Sequence, residues 1–85
     1  MNTLPVGFRR GLKIHPGKSH ALQLAAWLVS QRIAGQLPFN WLLIRHDADC
    51  VTLATGHADD CRCDCEVNVG GRTYSFLRDV KGRAA

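Results

Sequence analysis

Thiol and imidazole groups in the middle of this 85-residue chain are of the types that bind metal ions. The donors are His46, Cys50, His57, Cys61, Cys63 and Cys65. Thiolate sulfur and imidazole nitrogen are the usual ligands of zinc in proteins. If a metal ion binds, we expect its ligands to be Cys50, His57, Cys61 and Cys63.

The spacing of the last three cysteines favours a different interpretation. Structural zinc sites commonly use two cysteines separated by two or more residues, whereas Cys61, Cys63 and Cys65 alternate with single residues. Alternate residues of a strand point in parallel from one face. Free cysteine also behaves as a small apolar residue. We therefore expect core thiols and no cofactor, with a metal site and a disulfide as the alternatives.

Basic residues form the second candidate site, because their charges suit contacts with phosphate groups or with an acidic partner. The candidates are Arg9, Arg10, Lys13, Lys18, Arg72 and Arg78. Trp27 joins them as a candidate anchor for a partner, since it falls within the polar stripe of a predicted helix. A Trp covered by a loop and a generic solvated basic surface are the respective alternatives.

Charge is unevenly distributed along the chain. Residues 1–45 contain six basic and no acidic side chains, whereas residues 46–66 contain six acidic and one basic. Such segregation suits a protein that presents a basic face to one partner and an acidic or metal-binding patch to another.

Several classes of protein are disfavoured. The longest apolar run, residues 24–29, is far shorter than the ~20 residues of a membrane span. Residues 1–7 lack the features of a cleavable signal. No serine lies in a recognisable nucleophile motif. We expect one domain over residues 1–85 with a frayed end at 81–85, a cytoplasmic location, no membrane partner and no enzymatic activity.

Periodicity predicts one helix and five strands. The helix covers residues 20–34, is capped by Ser19 and ends at Gly35. The strands cover residues 8–14, 39–44, 50–54, 61–69 and 72–80. The run 61–69 alternates apolar and polar residues throughout, and Gly70 and Gly71 then form a two-residue hairpin turn.

The hairpin register predicts that Val67 lies opposite Tyr74 and that Cys65 lies opposite Phe76. The predicted fold class is α+β, with one helix packed on a four- to five-stranded antiparallel sheet in the order β-α-β-β-β-β. The helix is more apolar than one sheet face requires, so loops or a second copy should cover the remainder.

Function is predicted only by class. We expect a small non-enzymatic protein that occupies a surface on a larger protein or nucleoprotein complex, and a homodimer through the apolar helix is a candidate assembly. Size and lack of motifs are shared with phage and mobile-element inhibitors of host defence complexes, such as anti-CRISPR proteins, which is an analogy. The alternatives are a direct DNA- or RNA-binding module and a small zinc-binding protein.

Overall fold

The computed structural model describes residues 2–9, 17–31 and 39–82. Their strands are β1 (Thr3–Arg9), β2 (Phe39–Arg45), β3 (Glu66–Val69) and β4 (Arg72–Ser75). The helices are α1 (His20–Ser30), α2 (Val51–Thr55), a 3₁₀ turn (Ala58–Asp60) and a π-helix (Phe76–Lys81). The strands form one antiparallel sheet in the order β1-β2-β3-β4. The predicted α+β class is confirmed.

Helix α1 begins where the sequence predicts. Ser19 is its N-cap, and the Ser19 hydroxyl accepts a hydrogen bond from the Leu22 amide. The buried face recurs at helical spacing and consists of Ala21, Leu24, Ala25 and Leu28. The described helix ends at Ser30, and the predicted end at Gly35 lies outside the described residues. In the part of the chain that the structure describes, no helix has the length and apolar character needed to cross a bilayer.

The long strand pair of the sheet supplies most of its core face. Val6 in β1 lies opposite Leu42 in β2, and both side chains are buried. Ile44 lies opposite Val67 of β3, which extends the apolar surface to the third strand. These side chains form one core with the buried face of α1. Strand β1 starts earlier than the predicted strand 8–14, of which residues 10–14 lie outside the described residues.

The hairpin between β3 and β4 is confirmed. Gly70 and Gly71 both have positive φ, 61° and 84°, as a two-residue turn of this kind requires. Val67 lies opposite Tyr74, as predicted. The Phe76 amide donates to the Cys65 carbonyl, so these two residues also lie opposite each other, although neither belongs to a strand.

The predicted strand over residues 50–54 is wrong, because this segment forms helix α2. The Cys50 amide donates to the Asp47 carbonyl, which turns the chain immediately after β2 instead of returning it along the sheet. Gly56 ends the helix in the left-handed conformation, at φ 75°. The element order is therefore β-α-β-α-β-β, with the 3₁₀ turn and the π-helix in addition.

The predicted strand over residues 72–80 is correct only as far as Ser75. The Asp79 carboxylate accepts a hydrogen bond of 2.7 Å from the Ser75 amide, and the Ser75 hydroxyl accepts one from the Arg78 amide. This reciprocal capping starts the π-helix, which continues to Lys81. Of the predicted frayed end, residues 83–85 lie outside the described residues.

The hairpin turn yields a test of backbone conformation. A side chain at Gly71 would meet no atom within 4 Å, so replacement by Ala introduces backbone strain alone. We expect Gly71→Ala to lower the free energy of unfolding by about 1 kcal/mol. The matched control is Gly70→Asn, because Asn is favoured at the first position of this turn type. Equal urea midpoints for both variants would contradict the assigned turn.

Candidate metal centre

His46 is held in the interior by the end of strand β2. Side chains alternate along this strand, so that Leu42 and Ile44 face the core and His46 continues the same face. The His46 amide donates to the Asn2 carbonyl and prolongs the pairing with the start of the chain. His46 is consequently 2% exposed.

Three cysteine sulfurs surround the Nδ1 atom of His46. The Sγ atoms of Cys50 and Cys63 each lie 3.7 Å from Nδ1, and that of Cys61 lies 3.4 Å from it. The sulfurs of Cys61 and Cys63 are 3.7 Å apart. The four donor atoms, one from His46 and three from cysteines, lie within 4.8 Å of one another. None of these three cysteines forms a disulfide.

The segment that carries Cys61 and Cys63 is curled, so the predicted strand over residues 61–69 is wrong for 61–65. On a flat strand, residues two apart point the same way and are separated by about 6.6 Å. The observed 3.7 Å between the two sulfurs requires the backbone to bend, and β3 starts only at Glu66.

The amino-terminal end of α1 holds this curled segment in place. The His20 amide donates to the Cys61 carbonyl over 2.9 Å, and His20 Nδ1 lies 3.0 Å from the Cys63 carbonyl. The His20 ring also stacks on Phe76, with ring centres 4.0 Å apart. Ser19, the N-cap, donates its hydroxyl hydrogen to the Ala58 carbonyl in the 3₁₀ turn. Helix capping and loop positioning are therefore performed by the same two residues.

Four of the six distances between the donor atoms match a tetrahedral zinc site. With Zn–S bonds of about 2.3 Å and Zn–N bonds of about 2.0 Å, a regular tetrahedron places two sulfurs about 3.8 Å apart and sulfur and nitrogen about 3.5 Å apart. These four distances are 3.7 Å between the sulfurs of Cys61 and Cys63 and 3.4 to 3.7 Å for the three sulfur–nitrogen pairs. The Cys50 sulfur lies within 4.8 Å of the other two sulfurs. The residues present therefore fit a zinc ion of the Cys₃His type.

Hydrogen bonding alone does not account for this convergence. A neutral imidazole nitrogen that is not protonated has one in-plane lone pair, so it accepts well from one thiol and not from three. The chemistry of the donor set, three sulfurs and one nitrogen, is that of a borderline-soft metal ion.

The thiols differ in acidity even without a metal. A hydrogen bond from the Cys65 side chain lowers the pKa of Cys61 to about 4, with smaller contributions from Cys63 and from His46. Burial raises the pKa of Cys63 to about 12, and the hydrogen bond to Cys61 raises the pKa of Cys65. Cys65 thus supports the Cys61 sulfur from outside the four-donor cluster.

Coordination through Nδ1 leaves the His46 ring proton on Nε2. This atom is buried and has no hydrogen-bond partner among the residues that the structure describes. Ligating histidines usually donate their second ring N–H to a carbonyl, a carboxylate or water. The described residues supply the four ligands but not this outer partner.

His57, the histidine predicted from the sequence as a ligand, lies outside the cluster. It is exposed, and its amide donates to the Thr55 hydroxyl at the end of α2. His46 and His57 each precede a cysteine by four positions, Cys50 and Cys61 respectively, so spacing alone does not separate them. The alternation of buried residues along β2 is the signal that identifies His46.

Two of the basic candidates, Arg72 and Arg78, line one depression beside β4 together with Thr73, Tyr74 and Asp79. Lys18 is exposed in the turn before α1, and Arg72 is exposed on β4. Arg78 is exposed in the π-helix and paired with the Asp79 carboxylate at 2.9 Å, which raises the pKa of Arg78. The backbone of Arg9 ends β1, whereas Arg10 and Lys13 lie outside the described residues.

Trp27 is partly buried. Its ring contacts Tyr74 of β4, with ring centres 5.9 Å apart and tilted by 56°. It packs against the outside of the core, and its role as an anchor for a partner stays a prediction.

Comparison of the chain with protein-family models, with curated proteins and with solved structures gave no match.

The contact between α1 and the curled segment yields a stability prediction. Ser19→Ala removes the N-cap and the hydrogen bond to Ala58, and we expect it to lower the free energy of unfolding by about 1 to 2 kcal/mol. The matched control is Ser30→Ala at the exposed end of the same helix, with an expected change within about 0.5 kcal/mol. Urea denaturation measures both. A change at Ser30 as large as that at Ser19 would argue against the capping role.

Proposed function

We propose that this chain is a small zinc-binding domain in which His46, Cys50, Cys61 and Cys63 hold one structural ion. The observation that carries the proposal is the convergence of four donor atoms within 4.8 Å, four of whose six mutual distances are close to those of a zinc tetrahedron. The structure describes the donors, and the ion itself is the step that we propose.

Burial supports a structural rather than a catalytic ion. His46, Cys50 and Cys61 are buried, and Cys63 is partly buried. Four protein ligands complete a tetrahedral shell, whereas catalytic zinc sites keep one position open for water or substrate. This closed ligand set supports the prediction of a non-enzymatic protein.

The connections between the ligands explain what the ion would stabilise. Cys50 precedes the short helix α2, which has five residues, and Cys61 follows the 3₁₀ turn. Neither element is long enough to be stable by itself. An ion bound to both cysteines and to His46 would link these two elements to the end of β2. Coordination by Cys63 would also link the ion to the segment that precedes β3.

The core of the domain is small enough to benefit from such a tie. Many of its fully buried positions hold small side chains, namely Ala21, Ala25, Cys61 and Cys65. A domain of 85 residues buries a smaller fraction of its surface than a larger domain does, so its stability is modest. A structural zinc site contributes on the order of 10 kcal/mol, which is comparable with the whole stability of a small domain.

The partner of the domain remains a prediction. Binding to a protein or nucleoprotein surface, or to nucleic acid through exposed groups such as Lys18 and Arg72, is compatible with a zinc-stabilised scaffold. Salt dependence of binding would identify a phosphate-directed interaction.

Metal removal tests the proposal directly. We expect the protein purified without chelator to contain one equivalent of zinc by elemental analysis. A strong chelator should then lower the melting temperature and abolish most far-UV circular dichroism, because metal binding and folding are coupled. A melting curve that chelator leaves unchanged, in a protein free of zinc, would refute the proposal.

The two histidines provide a matched pair of variants. We expect His46→Asn to lose zinc, and to lose the visible spectrum of cobalt bound by thiolates in cobalt-substituted protein. His57→Asn should retain both, since His57 is exposed and outside the cluster. Equal zinc contents in the two variants would show that His46 is not a ligand.

A further inference from the structure

A depression of about 400 Å³ opens beside the four-donor cluster. Two ligand side chains, those of Cys50 and Cys63, contribute to its lining. Cys63 is partly exposed, whereas Cys50 is 7% and Cys61 is 0% exposed. Among the four ligands, Cys63 is therefore the one whose sulfur a small molecule in solvent reaches most easily.

We propose that Cys63 is a modification site, the metal-bound thiolate that reacts first with small electrophiles and hydroperoxides, and that its oxidation opens the centre. This inference rests on the proposed zinc-binding function. Coordination keeps all three ligand sulfurs ionised, so differences in access rather than in protonation decide which of them reacts.

The charges around the depression disfavour the approach of anionic reagents. Two acidic residues, Asp47 and Asp49, and one basic residue, Arg62, line the depression. Arg62 is held over the cluster, since its Nη1 atom donates to the Cys61 carbonyl over 2.8 Å. One zinc ion with three thiolates and a neutral imidazole has a net charge of −1. An anionic electrophile is repelled by this cluster and by the two carboxylates, whereas a neutral hydroperoxide is not.

The oxidation is completed by the neighbouring ligand. Attack of the Cys63 thiolate on a hydroperoxide forms an S–O bond and breaks the O–O bond, which leaves a sulfenic acid and an alkoxide or hydroxide. The Cys61 thiolate, 3.7 Å away, then attacks the Cys63 sulfur, so that an S–S bond forms, the S–O bond breaks and hydroxide leaves. The two thiolates lose two electrons and the hydroperoxide gains them, while each departing oxygen anion takes a proton from water.

The disulfide would remove two of the four ligands. His46 and Cys50 are then the remaining donors, which is too few for a structural zinc site. The ion leaves with its charge unchanged, and the turns that it tied to β2 are released. Oxidation at the rim of the depression is thereby converted into loss of local structure.

The order of thiol modification in the zinc-loaded wild-type chain tests the inference. Zinc content is measured first, the protein is treated briefly with substoichiometric iodoacetamide, and the labelled cysteine is located by peptide mass spectrometry. We expect most of the first label on Cys63, and Cys61 and Cys65 to be labelled only after zinc is lost. A zinc-loaded protein in which Cys61 or Cys50 is labelled before Cys63 would overturn the inference and leave the proposed function intact. A protein that binds no zinc would overturn both.

Treatment of two cysteine variants with hydrogen peroxide tests the formation of the Cys61–Cys63 disulfide. Cys63→His and Cys50→His each leave a Cys₂His₂ ligand set, but only Cys50→His keeps the adjacent sulfur pair. With zinc release followed by a coloured chelator, we expect wild type and Cys50→His to release zinc and Cys63→His to release it several-fold more slowly. Equal release rates would overturn the role of Cys63. If Cys63→His fails to bind zinc, a Cys61–Cys63 disulfide in peroxide-treated wild type supports the step, and its absence after zinc release refutes it.

Discussion

The structure depends on the meeting of four side chains at one buried point at the end of β2. Three sulfurs lie within 3.7 Å of His46 Nδ1, although Cys50 precedes α2 whereas Cys61 and Cys63 lie in the curled segment before β3. Such an arrangement is unfavourable as a set of bare thiolates, because like charges in a poorly solvated site repel one another. The divalent cation that we propose would remove that repulsion and would link the four side chains.

The regular elements around this point are arranged to hold it. Strand β2 places His46 on the core face by simple alternation with Ile44. The N-cap and the first residue of α1 hold the turns beside the cluster. Ser19 donates to a carbonyl of the 3₁₀ turn, and the His20 amide donates to a carbonyl of the curled segment. The start of α1 and the curled segment therefore stabilise each other, because the carbonyls of the 3₁₀ turn and of the curled segment accept hydrogen bonds from the residues that begin the helix. A substitution that destabilises the start of α1 should therefore also destabilise the curled segment, and the reverse.

Local patterns were sufficient to predict the elements whose structure is set by local forces. The cap at Ser19, the apolar strand that ends near Ile44 and the two-glycine turn all follow from backbone preferences and periodicity, and all are present. The prediction of a strand over residues 61–65 was wrong because the alternation of cysteine and polar residues there is identical to that of a strand. The conformation of this segment is instead decided by contacts with His46 and His20, which are distant in sequence and invisible to a periodicity argument. Tertiary contacts overrode local preference there.

Three of the four residues of the cluster could be predicted from the sequence, and the fourth could not. Three of its ligands could be chosen from the sequence, because Cys50, Cys61 and Cys63 are the thiols nearest to the histidines. The choice between two histidines with equal spacing to a cysteine required the burial of each. His46 continues a buried strand and His57 follows a left-handed glycine, Gly56, in an exposed connection. Extending the alternation of β2 by two residues would have selected His46.

Part of the acidic charge in residues 46–66 has a local structural role. Several acidic side chains of residues 46–66 bind the chain near them: Asp60 accepts from the Thr55 hydroxyl and Asp64 from the Leu77 amide. Glu66 pairs with Arg45 across β2 and β3 at 3.5 Å. A segment with little regular structure leaves many backbone and hydroxyl donors without helix or sheet partners, and carboxylates are efficient acceptors for them. Asp47 and Asp49, in contrast, line the depression beside Cys63.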